Sequence, residues 1–267
     1  MTLSEFFKEK NVEYFGVLDY SAVRETYGEL ITREAFVPKS VIVYLLPYYT
    51  GETVNISRYA ASLDYHIAIR EINMALSSFL SENYPATRSK GYGDHSPIDE
   101  RDAAIKAGLG IVGKNGLLIN EKYGSYVFIG DMISDIPSKE LSGTEPLPYR
   151  YCSGCGACQR ACPTGVLRGE SEECLSAITQ KKGELTDSEI SLMRECNTAW
   201  GCDFCQSSCP HNKNPKKTPI EFFYRERIEH LTREILDSMD KATFEKRAFA
   251  WRKRKTVERN LEILEKT

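Results

Sequence analysis

The stretch CSGCGACQRACP, running from Cys152 to Pro163, restricts what this chain can fold into more than any other segment. Thiols at 152, 155, 158 and 162, followed by a proline, reproduce the spacing C-x2-C-x2-C-x3-C-P. In that spacing three thiolates wrap three corners of an iron–sulfur cubane and the fourth is carried to another cluster. A second run, Cys202, Cys205 and Cys209 before Pro210, repeats the ending with one cysteine fewer. Exchanging the fourth cysteines gives one site of Cys152, Cys155, Cys158 and Cys209. The other takes Cys162, Cys202, Cys205 and one more thiol, either Cys174 or Cys196.

All nine cysteines of the 267 residues lie between Cys152 and Cys209. That clustering marks a metal module inside a larger protein. Zinc ribbons would show C-x2-C pairs separated by a longer loop, and disulfides are disfavoured in a reducing compartment. Two [4Fe–4S] clusters are the expectation, with the ninth cysteine a small buried hydrophobe. The start, MTLSEFFKEKNVEYF, lacks the basic-then-apolar pattern of a signal peptide. The longest apolar run, SVIVYLLPYY, is strand-length rather than membrane-spanning. A cytosolic location without membrane contact is expected. A net charge of -3 gives no global basic field for nucleic acid.

The first ~145 residues read as mixed α/β. FGVLDY and SVIVYLLPY are rich in Val, Ile and Tyr and end at turn residues, as strands do. From Ser57 to about Glu82, Leu63, Ile67, Ile69, Ile72, Leu76, Phe79 and Leu80 recur at helical steps. Pro97 opens a second helix that stops at Gly108. GLLINEKYGSYVFIGDMISDI reads as a hairpin turning at EKYGS. PSKELSGTEPLP (137–148) reads as a linker. The tail from Thr218 is helical and charged. The domain expectation is therefore 1–145, 146–217 and 218–267.

GLGIVGKNG places Gly108, Gly110 and Gly113 at G-x-G-x-x-G spacing, and Gly113-Lys114 nearly completes a P-loop. A dinucleotide fingerprint follows a strand and opens a helix, whereas this loop does the reverse. Asn115 stands where a P-loop needs Ser or Thr. Close backbone approach to a bulky ligand and a plain helix C-cap are the two readings left.

NISRYAASLDYH (55–66), GDHSPIDERDAAIKAGLGIVGKNGLLI (93–119), GSYVFIGDMISD (124–135) and GCDFCQSSCPHN (201–212), with the cysteine runs, resemble the epoxyqueuosine reductase family. Members are cobalamin-dependent iron–sulfur enzymes of tRNA modification, related in their core to reductive dehalogenases. The resemblance implies an α+β chain: a nitroreductase-like α/β cobalamin-binding domain, a bacterial ferredoxin-like two-[4Fe–4S] module and a helical tail. It implies Cys174, in EECLSAITQ, as the last cluster ligand, leaving Cys196 extra. It places the acid in D-x-x-P-x-x-E-R, here Asp94, Pro97, Glu100 and Arg101. It sets Ser57, Arg58, Tyr59 and Ala60, with Gly108, Gly110, Gly113 and Lys114, along the corrinoid. Family members usually carry a further helical-repeat domain that helps hold tRNA, and the resemblance stops short of it here. His95 and Ser96 follow the acid where smaller, non-ionisable residues are common.

Removing an epoxide oxygen to leave an alkene takes two electrons and two protons. Asp94 is the candidate general acid, protonated through burial beside the corrin. His95 is a candidate second donor or cobalt ligand, or a satisfied polar residue. Tyr59 and Tyr65 face the corrin or the core. Asp64-Tyr65-His66 begins the D-x-H-x-x-G cobalamin pattern, but Ile69 replaces its glycine. Arg252 to Lys255, with Arg247 and Arg259, form a local basic run suited to an RNA backbone or a solvated helix face. The expected activity is reduction of epoxyqueuosine in tRNA, with ferredoxin or flavodoxin as donor. A corrinoid reductase of a small substrate, or an electron carrier without its own chemistry, are the alternatives.

Overall fold

A computed structural model describes residues 1–34 and 36–266. The chain forms two compact units. One comprises residues 1–47 and 66–154, the other residues 48–65 and 155–267. The division differs from the three-part reading: residues 48–65 group with the cysteine segment, and the tail groups with it too.

In the first unit, α1 (Leu3–Glu9) starts at a capping box, with Thr2 and Glu5 exchanging hydrogen bonds across the first turn. β1 (Phe15–Asp19), α2 (Gly28–Thr32), β2 (Ser40–Pro47), α3 (Tyr65–Asn83), β3 (Ser89–Tyr92) and α4 (Glu100–Lys106) follow. Next come β4 (Ile111–Val112), β5 (Leu118–Ile119) and β6 (Val127–Ser134). The main sheet has the order β1-β2-β6-β3, and every pairing is antiparallel. β2 is buried along its whole length, so both of its faces are covered and its sequence is apolar throughout instead of alternating.

Val41, Val43 and Leu45 of β2 and Ile133 of β6 pack on Ala103, Ala104 and Ile105 of α4. Each fully buried Val, Leu or Ile contributes about 1.5–3 kcal/mol relative to exposure. The opposite face meets α3 and α1. There the Tyr44 hydroxyl donates to Asn73 Oδ1 at 3.0 Å, and Phe6 stacks on Phe79 at 5.3 Å. Gly130 sits across from Tyr44, and a Cβ on it would lie 2.4 Å from the Tyr44 ring.

Three local readings need correction. The helix expected from Ser57 begins at Tyr65; residues 58–60 form a single 3-10 turn in the other unit. Helix α4 starts after Pro97, where the Asp99 carboxylate accepts the amides of Arg101 and Asp102 as its N-cap. The expected 116–136 hairpin does not form. Asn120 and Gly124 close a tight turn, but β5 pairs back onto β4 while β6 runs between β2 and β3. Long-range pairing outweighs the local turn signal there. The 137–148 segment is likewise tied down. Leu141 is buried, the Thr144 amide donates to the Val17 carbonyl, and the Leu147 amide donates to that of Lys106.

The second unit is built from short capped helices: α5 (Ala157–Ala161), α6 (Leu175–Thr179), α7 (Asp187–Glu195), α8 (Phe204–Ser207), α9 (Arg233–Ser238), α10 (Lys241–Glu245) and α11 (Arg254–Glu265). Trp200, Leu231, Leu236, Phe249, Val257 and Leu261 form its core with Ile56, Ala60 and Ala61. Polar side chains knit the three sequence-distant parts. Asn55 donates to the Leu231 carbonyl and accepts the Leu231 amide. Asn260 donates to the carbonyls of Thr179 and Ala199. Among the described residues no helix is long and apolar enough to cross a membrane.

Candidate active site and cysteine module

In the first unit a cleft of about 350 Å³ opens between the 93–101 turn and β6. Asp94, Glu100, Arg101, Tyr27 and Phe128 are among its lining residues. Asp94 has φ +64°, a left-handed conformation that Asp tolerates better than most residues. Its side chain is 56% exposed, and its Oδ2 lies 3.3 Å from Nε2 of His66 at the start of α3. His95 turns away to pack on the Tyr27 ring at 4.6 Å.

Behind Asp94 sit two more acids. Glu100 is the first residue of α4, and Asp131 stands on β6 opposite Val43 and Tyr92. Asp131 is fully buried, and Ser96 Oγ donates to its Oδ1 at 3.1 Å. Glu100 Oε1 and Asp131 Oδ2 are both buried without a donor. Burial pushes the Glu100 carboxyl up to about 9, aided by the charges of Asp131 and Asp94 and opposed by a hydrogen bond from the Asp94 amide. Burial also raises Asp131, while hydrogen bonds from Ser96 and Glu100 restrain it. Two carboxylate oxygens that can only accept cannot satisfy one another, whereas a single proton between them satisfies both. The 127–133 alternation carried a signal for this. Val127, Ile129 and Ile133 are the apolar partners, and Asp131 breaks the pattern.

The glycine loop is shaped largely by local needs. Gly108 has φ +77° and follows Ala107, the C-cap of α4, and the Leu109 amide bonds back to the Ala104 carbonyl, so the glycine ends the helix in a left-handed turn. A Cβ on Gly110 would come 2.6 Å from the Ile119 carbonyl oxygen, so the β4–β5 pairing requires glycine there. Gly113 donates to the Leu117 carbonyl within the β4–β5 turn. Lys114, at the tip of that turn, is exposed.

Ser57 to Ala60 lie in the second unit. Ser57 Oγ donates to Asp203 Oδ1 at 2.5 Å, and the Arg58 amide and Nη1 donate to Asp203 Oδ2 at 2.7 and 3.0 Å. Trp200 Nε1 donates to the Tyr59 hydroxyl at 2.9 Å, and Ala60 is fully buried. Asp203 follows Cys202 directly, so this segment is anchored to the second cysteine run.

None of the nine cysteines is joined in a disulfide. α5, which carries Cys158, packs against α8, which carries Cys205. Cys162 is lowered from its ordinary value: burial works against this, but hydrogen bonds from the Leu167, Thr164 and Gly165 amides and the Thr164 hydroxyl outweigh it. Such donors are what tune cluster sulfurs. Burial pushes Cys202 up to about 12, with the Phe204 amide opposing and the neighbouring charges of Cys205, Asp203 and Cys174 adding to it. The Cys174 sulfur accepts the Ala177 amide at 3.4 Å as the N-cap of α6. Cys196, at the end of α7, packs against the apolar cluster of Leu175, Ile178 and Met193. Among the described residues no three His, Cys, Asp or Glu side chains are drawn together tightly enough for a single metal ion.

Much of the basic tail is committed to structure. Arg247 is buried and donates to the Glu226 carbonyl, Arg254 to those of Leu236 and Met239, and Arg259 to that of Lys181. Arg252 covers the Trp251 ring at 3.8 Å. Lys253 and Lys255 remain exposed.

An α/β unit with a carboxyl-lined cleft, in one chain with ferredoxin-spaced cysteines, defines an iron–sulfur oxidoreductase. Residues 151–212 match the model of the 4Fe-4S double cluster binding domain. The epoxyqueuosine reductase of Listeria monocytogenes serovar 1/2a is 32% identical over 290 residues, covering 97% of this chain and 73% of that protein. A crystal structure of epoxyqueuosine reductase with an epoxyqueuosine-modified tRNA-Tyr stem loop aligns with TM-score 0.76 at 24% identity, over 97% of this chain and 79% of that one. The Streptococcus thermophilus epoxyqueuosine reductase aligns with TM-score 0.74 at 24% identity, over 98% and 79%. The chain belongs to the epoxyqueuosine reductase family, a family of oxidoreductases.

Proposed function

We propose that this chain reduces epoxyqueuosine in tRNA to queuosine. Family membership supports the substrate. The observation that carries the chemistry is the cleft in which Asp94 is backed by Glu100 and paired with His66. Two [4Fe–4S] clusters on Cys152, Cys155, Cys158 and Cys209, and on Cys162, Cys174, Cys202 and Cys205, pass electrons from a ferredoxin or flavodoxin. The ferredoxin spacing and the amides directed at Cys162 fit that donor set.

A corrinoid, when bound, supplies a strongly reducing centre for the substrate carbon. Lys114, exposed in the first unit, carries a donor suited to its amides, on the segment that Gly108, Gly110 and Gly113 shape; the family resemblance adds Ser57, Arg58, Tyr59 and Ala60 as contacts. His66 is engaged with Asp94, which fits a corrinoid held without the histidine of the incomplete D-x-H-x-x-G pattern. Asp94 delivers a proton to the epoxide oxygen as its C–O bond breaks, which avoids expelling an alkoxide. A nitroreductase-like ancestry of the first unit and contact of Lys253 and Lys255 with the RNA backbone belong to the same reading.

The test is turnover of an epoxyqueuosine-modified tRNA stem loop by the anaerobically reconstituted, cobalamin-loaded protein. Asp94→Asn is expected to lower turnover by about 10²–10⁴-fold with iron and cobalt content unchanged. Full turnover by that variant would falsify the role of Asp94. Cobalamin binding without activity on the stem loop would move the reading to a small substrate.

A further inference from the structure

We propose that Glu100 and Asp131 form a buried proton-sharing pair that supplies the second proton of the reduction, through Asp94. The inference rests on Asp94 as the acid that meets substrate. Opening the epoxide and expelling its oxygen breaks two C–O bonds. Two electrons enter and two protons go to that oxygen, which leaves as water. One carboxyl can hold only one of those protons, so a second source is required.

The structure sets four ionisable groups in a row from sheet interior to cleft rim. Asp131 is sealed in β6, and the Glu100 carboxyl at the start of α4 acts on it, with an oxygen of each buried without a hydrogen-bond donor. The Asp94 amide hydrogen-bonds the Glu100 carboxyl, and Asp94 Oδ2 meets His66 Nε2. Glu100 Oε1 and Asp131 Oδ2 have no other donor and no solvent. Glu100 also lines the cleft that Asp94 lines, which makes it the exit of the pair.

The other titratable groups facing the pair are Tyr44 on β2 and Tyr92 on β3. Burial is the main cause that raises both hydroxyls, and Asp131 adds to it, so they stay protonated while the carboxyls titrate. Once Asp94 has given its proton to the first broken C–O bond, the proton of the pair passes from Glu100 to the Asp94 carboxylate. Asp94 then delivers it as the second bond breaks. The pair is left as two buried carboxylates, an unfavourable state that draws a proton back from solvent after product leaves. Glu100 and Asp131 are positioning and relay residues; they act through Asp94.

The experiment compares the pH–rate profiles of the cluster- and cobalamin-loaded enzyme and its Glu100→Gln and Glu100→Asp variants on the epoxyqueuosine-modified stem loop. Glu100→Gln keeps the shape but releases no proton. It should lower kcat by about 10²-fold at unchanged KM and metal content, and should lose the alkaline fall seen in the parent. Glu100→Asp should restore part of the rate and the alkaline limb. A parental kcat and profile in Glu100→Gln, with Asp94→Asn inactive, overturns the relay and leaves the role of Asp94 standing. Full activity in Asp94→Asn removes the reading beneath both. Should Glu100→Gln fail to load its clusters, infrared difference spectra of the unmutated protein decide. A buried protonated carboxyl that deprotonates only at alkaline pH is expected, and its absence at neutral pH overturns the proposal.

Discussion

His66 Nε2 and Asp94 Oδ2 lie 3.3 Å apart, joining the first turn of α3 to the left-handed turn after β3. Both side chains are more than 40% exposed, at 43% and 56%, so the pair adds little to stability. Its consequence is orientation: the imidazole fixes where the Asp94 carboxyl points.

His66→Ala should therefore leave thermal unfolding nearly unchanged while slowing turnover by one to two orders of magnitude, at the low end of general acid contributions. Steady-state kinetics at saturating stem loop would check this. A parental kcat would show that Asp94 is held by its backbone alone.

The pH dependence of stability follows from Glu100. The unfolded side chain titrates near its ordinary value of 4.5, while the folded one is pushed up to about 9 by burial and by Asp131 and Asp94. Between those values the native state keeps a proton that the unfolded chain has released. The stabilising contribution is complete below about pH 4.5 and is lost as pH rises toward 9. The melting temperature of the parent protein should fall across that window more steeply than that of Glu100→Gln, which cannot ionise. Parallel curves would mean that Glu100 is not the proton holder.

Cys174 and Cys196 should separate by iron content. Cys174→Ala is expected to lose about four irons per chain, one cubane. Cys196→Ala should keep its iron, as the extra cysteine of the proposed ligand set. The opposite pattern would exchange their roles.

Asp203 holds the Ser57–Arg58 segment through three donors, with its side chain 9% exposed and that of Arg58 11% exposed. Asp203→Ala strands a largely buried guanidinium and should destabilise the second unit by about 3–5 kcal/mol. Urea titration followed by cluster absorbance measures this, and a loss under about 1 kcal/mol would show that Glu52 and Ser207 suffice to hold Arg58.

What was legible in the sequence was local. The cysteine spacing reflects the ligand geometry of one cluster, and β1, β2 and α3 show their periods within a few residues. What was hidden depended on distance. The turn at 120–124 formed as its residues suggested, yet β5 and β6 went to different partners. Asp131 looked like one more residue of an apolar strand, and only the packing of α4 brings Glu100 against it. Asp203, about 145 residues later, holds Ser57 and Arg58, a pairing that no local pattern announces. Arg247, Arg254 and Arg259 read as a basic surface, although each donates to backbone carbonyls.

Residues 48–65 complete a unit whose remaining parts begin at Cys155 and extend through α11. On the ribosome this segment emerges well over a hundred residues before Trp200, Leu231 and Asn260 exist to receive it. The second unit therefore cannot close during early synthesis. For the same reason the cysteine module is not a cassette: excised at its sequence borders as a small ferredoxin, it would leave Ile56, Ala60 and Asn55 behind and expose the core they cover.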